Sequence, residues 1–133
     1  MCYAACMTES LDHSFDVLVG SRVSIVRFSL QFVEIVLYGG VNREKKYATL
    51  QLEADFELRT NGVTYVIKAD EKESLNPALT LLNTVITKIR LTESDELSVT
   101  FDDGTLLQVV PIEKYEAWHL TGDDLGFHVA MGI

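Results

Sequence analysis

Leu97-Ser98-Val99-Thr100-Phe101-Asp102-Asp103-Gly104-Thr105-Leu106-Leu107-Gln108-Val109 is the stretch whose reading decides the fold. Leu97, Val99 and Phe101 alternate with Ser98 and Thr100. That is the period of a strand with one face buried. Asp102-Asp103-Gly104 reads as a hairpin turn, and Leu107 and Val109 return on the far side. Pro111 stops the ladder, because it has no N–H to give.

The chain continues in the same manner. Tyr115-Glu116-Ala117-Trp118-His119-Leu120-Thr121-Gly122 holds the only tryptophan, and Trp118 and Leu120 alternate as a further strand. Phe127, Val129 and Met131 form the last. Toward the N-terminus, Val23 to Leu30 and Val33 to Tyr38 are β-rich, and Gly39-Gly40 ends the second run. Val41 to Lys46 reads as a charged loop. Leu50 and Leu52, then Phe56 and Leu58, continue the alternation. Asn61-Gly62 is a hairpin signal, since both residues accept positive φ, and Val63 to Ile67 returns from it.

Only one segment departs from this period. Ser74-Leu75-Asn76-Pro77 offers an N-cap and a first-turn proline, and Ala78, Leu79, Leu81 and Leu82 follow as an apolar stripe. This predicts one short helix of about two to three turns. On either side of it the sequence repeats itself. Gly20 to Phe28 runs parallel to Asn83 to Leu91. Val33, Ile35, Leu37 and Gly40 fall opposite Leu97, Val99, Phe101 and Gly104. Phe56 and Leu58 fall opposite Trp118 and Leu120, and Gly62-Val63 opposite Gly126-Phe127. The matched Arg27 and Arg90 favour duplication over chance likeness. The expected fold is mostly β, with two related antiparallel meanders of about four strands each. They form a sandwich or a partly closed barrel, with the helix between them. The expected organisation is a flexible arm over residues 1–15 and one β-rich domain over 16–133, with pseudo-repeats at about 17–69 and 81–131.

A chain of 133 residues with 47% hydrophobic side chains can build its core without disulfides or metal. The two cysteines, Cys2 and Cys6, are too few and too close to the start for a disulfide framework or a zinc set. The expected compartment is a reducing cytoplasm. Residues 1–6 lack the basic and apolar regions of a lipidation signal, and Met7 is an alternative start. No apolar run reaches the length of a membrane span. A net charge of −9 is repelled by phosphate and by anionic lipid, so nucleic acid and membrane are not expected partners. A basic protein is the partner such a surface suits.

No chemistry stands out. His13, His119 and His128 have no metal-ligand spacing. Asp102-Asp103-Gly104 lacks the further oxygens of a calcium loop. Glu113, Glu116, Asp123 and Asp124 show no paired-carboxylate spacing. No phosphate loop and no nucleophile elbow is present. No catalytic, cofactor-binding or metal residue is therefore expected. Trp118 reads as a core plug or as a surface anchor. On the second reading Tyr115, Glu116 and His119 mark a candidate partner surface.

Pro77 to Leu82, Phe101-Asp102-Asp103-Gly104, Tyr115 to Trp118 and Thr121-Gly122, taken together, resemble a bacterial domain family of unknown function. The resemblance is close over about residues 70–131 and loose over 17–69. Its relatives close with a Pro-Gly-Gly segment where this chain has Met131-Gly132-Ile133. The resemblance implies the β fold and carries no activity. Two function classes follow. One is a small non-enzymatic interaction module, immunity-like or accessory, with a basic partner. The alternative is a ligand-binding or enzymatic domain with a cavity between the meanders.

Overall fold

The computed structural model describes residues 15–92, 96–109, 116–122 and 126–131, with side chains for all of these except 116–117 and 126–131. The arm before Phe15, Pro111 and Tyr115, for which the sequence raised expectations, lie outside the described residues. The chain is mostly β, in two antiparallel five-stranded sheets packed as a sandwich. The strands are β1 (Arg22–Phe28), β2 (Val33–Tyr38), β3 (Tyr47–Leu52), β4 (Phe56–Thr60), β5 (Val63–Ile67), β6 (Ile86–Leu91), β7 (Leu97–Phe101), β8 (Leu106–Val109), β9 (Glu116–Gly122) and β10 (Gly126–Met131). One sheet runs β1-β2-β3-β9-β10 and the other β5-β4-β8-β7-β6.

The alternation read in the sequence is what buries the core. Val33, Ile35 and Leu37 of β2, Leu50 and Leu52 of β3, and Trp118 and Leu120 of β9 turn inward from one sheet. Phe56 and Leu58, Leu97, Val99 and Phe101, and Leu107 and Val109 meet them from the other. Each of these side chains is buried, which removes roughly 25 cal/mol of cost per Å² of apolar surface hidden.

The two halves are related more deeply than a pair of stacked meanders. Each repeat has five strands, not four, and splits them between the sheets. β1-β2-β3 stay together while β4-β5 join the other sheet; β6-β7-β8 stay together while β9-β10 cross back. The halves thus exchange their C-terminal hairpins. The alternation from Leu50 through Leu58 looks like one strand in sequence, but Glu53 to Asp55 break it where the chain changes sheet.

Equivalent positions make equivalent bonds. Gly20 N–H donates to Ile86 O at 2.8 Å, and Asn83 N–H to Val23 O at 2.9 Å. Val23 N–H donates to Thr84 O, and Ile86 N–H to Ser21 O, both at 2.9 Å. Gly20 and Asn83 both have positive φ, 89° and 69°. The buried hydroxyls of Ser21 and Thr84 donate to Leu18 O and Leu81 O, each at 2.6 Å. β1 and β6 bulge at the matched residues Ser24 and Thr87, whose hydroxyls donate to Val36 O and Thr100 O. The bridge Arg22↔Val85 joins the two matched strand starts to each other. Only at the last hairpins does the sequence match slip. The ladder sets Thr64 opposite Arg59 and Phe127 opposite Thr121, so Thr64, not Val63, is the equivalent of Phe127.

The linker between the halves holds its short helix, but wound differently from the expectation. Asn76–Leu81 is a 3-10 helix, preceded by another at Lys72–Ser74. Ala78 and Leu81, three apart, face the core, and a 3-10 winding sets such a pair one above the other. Leu79 and Leu82 are left exposed. Ser74 is no N-cap: its hydroxyl takes Lys68 N–H just past β5, with Lys68 O and Glu71 O both within reach of its proton. Phe15 also belongs to the core. Phe15, placed in the arm by its sequence, is fully buried and meets Trp118 edge to face at 5.8 Å.

Candidate functional site

β9 sets the geometry of the candidate surface. Trp118 and Leu120 point into the core, so His119 between them points out. Trp118 is 2% exposed, which settles its two readings in favour of the core. Its partner across β3 is Leu52, and Phe56 holds the matching place across from Val109 in the other sheet, also 2% exposed.

His119 pairs with Gln51 on β3. Glu53, two residues on, brings its Oε2 to 2.7 Å from His119 Nε2. Both side chains are largely covered, at 19% and 28% exposure. This is a close carboxylate–imidazole contact, although Glu53 Oε2 makes no hydrogen bond of good geometry among the described residues. Proton transfer to a substrate would need a further reacting group in reach. Among the described residues no three His, Cys, Asp or Glu side chains gather as a metal set. In the β9–β10 register His128 lies across from Leu120, and His119 across from Val129. Glu116 opens β9 opposite Met131, and a bulge at Ala117 separates it from Trp118. The strand thus starts at Glu116, and the register shift falls between it and Trp118.

The end of the sandwich where His119 lies is acid-rich. Glu53 and Asp55 occupy the crossover from β3 to β4, and Asp70, Glu71 and Glu73 follow β5. Glu96 leads into β7 at the same end. Lys68 sits among them, 3.9 Å from Asp55 and 3.5 Å from Glu71, and Lys72 follows. At the other end of β3 lies a surface the sequence did not mark. Tyr38 and Tyr47 are cross-strand partners with ring centroids 4.7 Å apart, and both are exposed. Strand-end tyrosines on both sides of one loop were the available signal. Arg22 neighbours Tyr38 on β1 and is held by Asn83 O and Oδ1 at 2.8 and 3.0 Å.

The loop between the tyrosines hides another residue missed in sequence. Arg43 is 1% exposed. Its guanidinium donates to Gly39 O at 2.7 Å and Tyr47 O at 3.1 Å, so it clamps both ends of the loop. Gly40 lets the loop close: it has φ +121°, and a Cβ there would collide with the Val17 carbonyl oxygen.

Fold and surface together define a small duplicated two-sheet β protein with one acid-rich end. The chain belongs to DUF6188, a family of unknown function, whose model matches residues 15–132. No curated protein and no solved structure matches it. No helix among the described residues is long and apolar enough to cross a membrane.

Proposed function

We propose that this protein is a non-enzymatic interaction module that takes a basic protein partner on its acid-rich end. An immunity-like or accessory role in a reducing cytoplasm fits that reading. The observation that carries it is the gathering of Glu53, Asp55, Asp70, Glu71, Glu73 and Glu96, with Lys68 and Lys72 as the lysines placed among them in the described residues. The candidate residues His119 and Glu116 stand on β9 at the same end. A concentrated field of one sign steers an oppositely charged partner and raises its encounter rate. Trp118, Phe56, Leu58 and their neighbours form a buried apolar cluster between the sheets, so the candidate surface is the outside of the sandwich.

The test is a pull-down from the native host, followed by association kinetics with the recovered partner. The on-rate is expected to fall as salt rises, through Debye screening over about 10 Å at 0.1 M. Asp70→Lys with Glu73→Lys should slow association by about tenfold and leave dissociation nearly unchanged. An on-rate indifferent to both salt and these substitutions would sink the proposal.

A further inference from the structure

A sandwich of two open sheets has four edge strands, here β1, β6, β10 and β5. An edge strand offers unpaired backbone groups to any passing strand, and proteins blunt such edges with charges and bulges. β1 carries Arg22 and Arg27 and a bulge at Ser24. β6 carries Lys88 and Arg90 and a bulge at Thr87. The two are also joined at their starts by the Arg22↔Val85 bridge. The β9–β10 ladder slips at its end, between Ala130 and Met131. β5 has none of these devices. Val63-Thr64-Tyr65-Val66-Ile67 holds no charged residue and no histidine, and its ladder with β4 is regular from Phe56↔Ile67 to Thr60↔Val63. Val63, Tyr65 and Val66 are exposed at 47%, 38% and 47%.

The hairpin tells which backbone groups are on offer. Asn61 and Gly62 have φ of 52° and 78°, a two-residue turn that makes Thr60 and Val63 a closely hydrogen-bonded pair. Pairs alternate from there, so Leu58↔Tyr65 and Phe56↔Ile67 are bonded and Arg59↔Thr64 and Glu57↔Val66 are not. The N–H and C=O groups of Thr64 and Val66 therefore point away from β4, along the open edge. Among the described residues nothing pairs with them.

From this edge we infer that β5 is the dimerisation strand: a second copy of this chain pairs with it antiparallel, about a two-fold axis at Tyr65. The occupant is a second copy because the edge is complementary to itself. Centred on Tyr65, the pairing sets Thr64 of each copy against Val66 of the other. These are the residues with outward groups, and they supply about four backbone hydrogen bonds. Tyr65 meets Tyr65 as a non-hydrogen-bonded pair, the closer kind, where aromatic side chains gain most from contact. Ile67 falls opposite Val63 of the second copy. On the outer face, the row running through the junction begins with Glu57 of one copy and ends with Arg59 of the other, so opposite charges share each row. Antiparallel order also keeps the acid-rich ends apart. Lys68 to Glu73, after Ile67, lie toward the uncharged Asn61-Gly62 turn of the other copy. The two five-stranded sheets then continue as one.

Sedimentation of the full chain, from low-micromolar to near-millimolar concentration, tests the inference. A reversible monomer–dimer equilibrium is expected. Thr64→Pro removes an outward N–H and no ladder bond to β4, and should weaken the dimer at least about tenfold. Val66→Lys, at an exposed side chain, should do the same, and it decides the matter if the proline variant fails to fold. In a Cys2→Ser, Cys6→Ser background, Tyr65→Cys should cross-link two copies on mild oxidation, whereas Val63→Cys should not, because its cross-strand neighbour is Ile67. A protein that stays monomeric at every concentration overturns the inference. So does a dimer indifferent to both edge variants, growth into open-ended oligomers, or an edge that takes a foreign peptide and never a second copy.

Discussion

Trp118 joins its strand, its sheet and the N-terminal segment at one point. It fills the core across from Leu52 and takes Phe15 edge-on. Trp118→Ala should cost about 3–5 kcal/mol in urea unfolding, and the native indole should emit blue-shifted light that iodide quenches poorly. A red-shifted, readily quenched emission would contradict its burial. Arg43 is the opposite case, a charge spent on loop geometry. Arg43→Met leaves the Gly39 and Tyr47 carbonyls without their donor and should cost about 2–3 kcal/mol. Arg43→Lys should recover only part of that, since an ammonium lacks the planar fork. Trp118 was legible in the sequence because strand alternation and its match with Phe56 both point inward. Arg43 was not, because an arginine among Glu44, Lys45 and Lys46 looks like any solvated residue. Only the fold of the loop around it makes it a clamp. The Glu53–His119 contact was hidden for a similar reason. The two are 66 positions apart in sequence, and strand register alone brings them together.

At the scale of elements, strand alternation and turn chemistry place the strands and the turns. Gly39-Gly40, Asn61-Gly62 and Asp102-Asp103-Gly104 each turn where they were read. The short helix lies where its apolar stripe puts it, and its 3-10 winding follows from Ala78 and Leu81, two core contacts three apart. The exchange of hairpins was not legible at all, since period two says which residues face inward and nothing about which sheet they join. The matched hydroxyls of Ser21 and Thr84 allow a test of the duplication. Each closes a 3-10 turn onto a buried carbonyl in equivalent surroundings. Ser21→Ala and Thr84→Val should therefore cost similar amounts, about 1 kcal/mol each, in equilibrium unfolding. Costs differing severalfold would mean that the two sites are alike in geometry only.

At the scale of the molecule, neither half owns a complete sheet. Residues 15–69 and 70–133, made separately, should each fail to give a cooperative unfolding transition, and mixing them should restore one. A half that folds alone as a monomer would show that the exchanged hairpin can close back on its own meander. The exchange also sets an order of events during synthesis. Every strand of the sheet β5-β4-β8-β7-β6 has been made once Val109 has emerged. The other sheet begins with the first strand of the chain and is finished only by the last. Until β9 arrives, β3 stands as an open edge with Leu50 and Leu52 lacking their cross-strand partners Leu120 and Trp118, an invitation to aggregation that lasts until Gly122 has emerged. A stall in the codons after Val109 should thus harm this protein more than one before Val63. The yield of soluble chain against the position of an engineered pause would measure it.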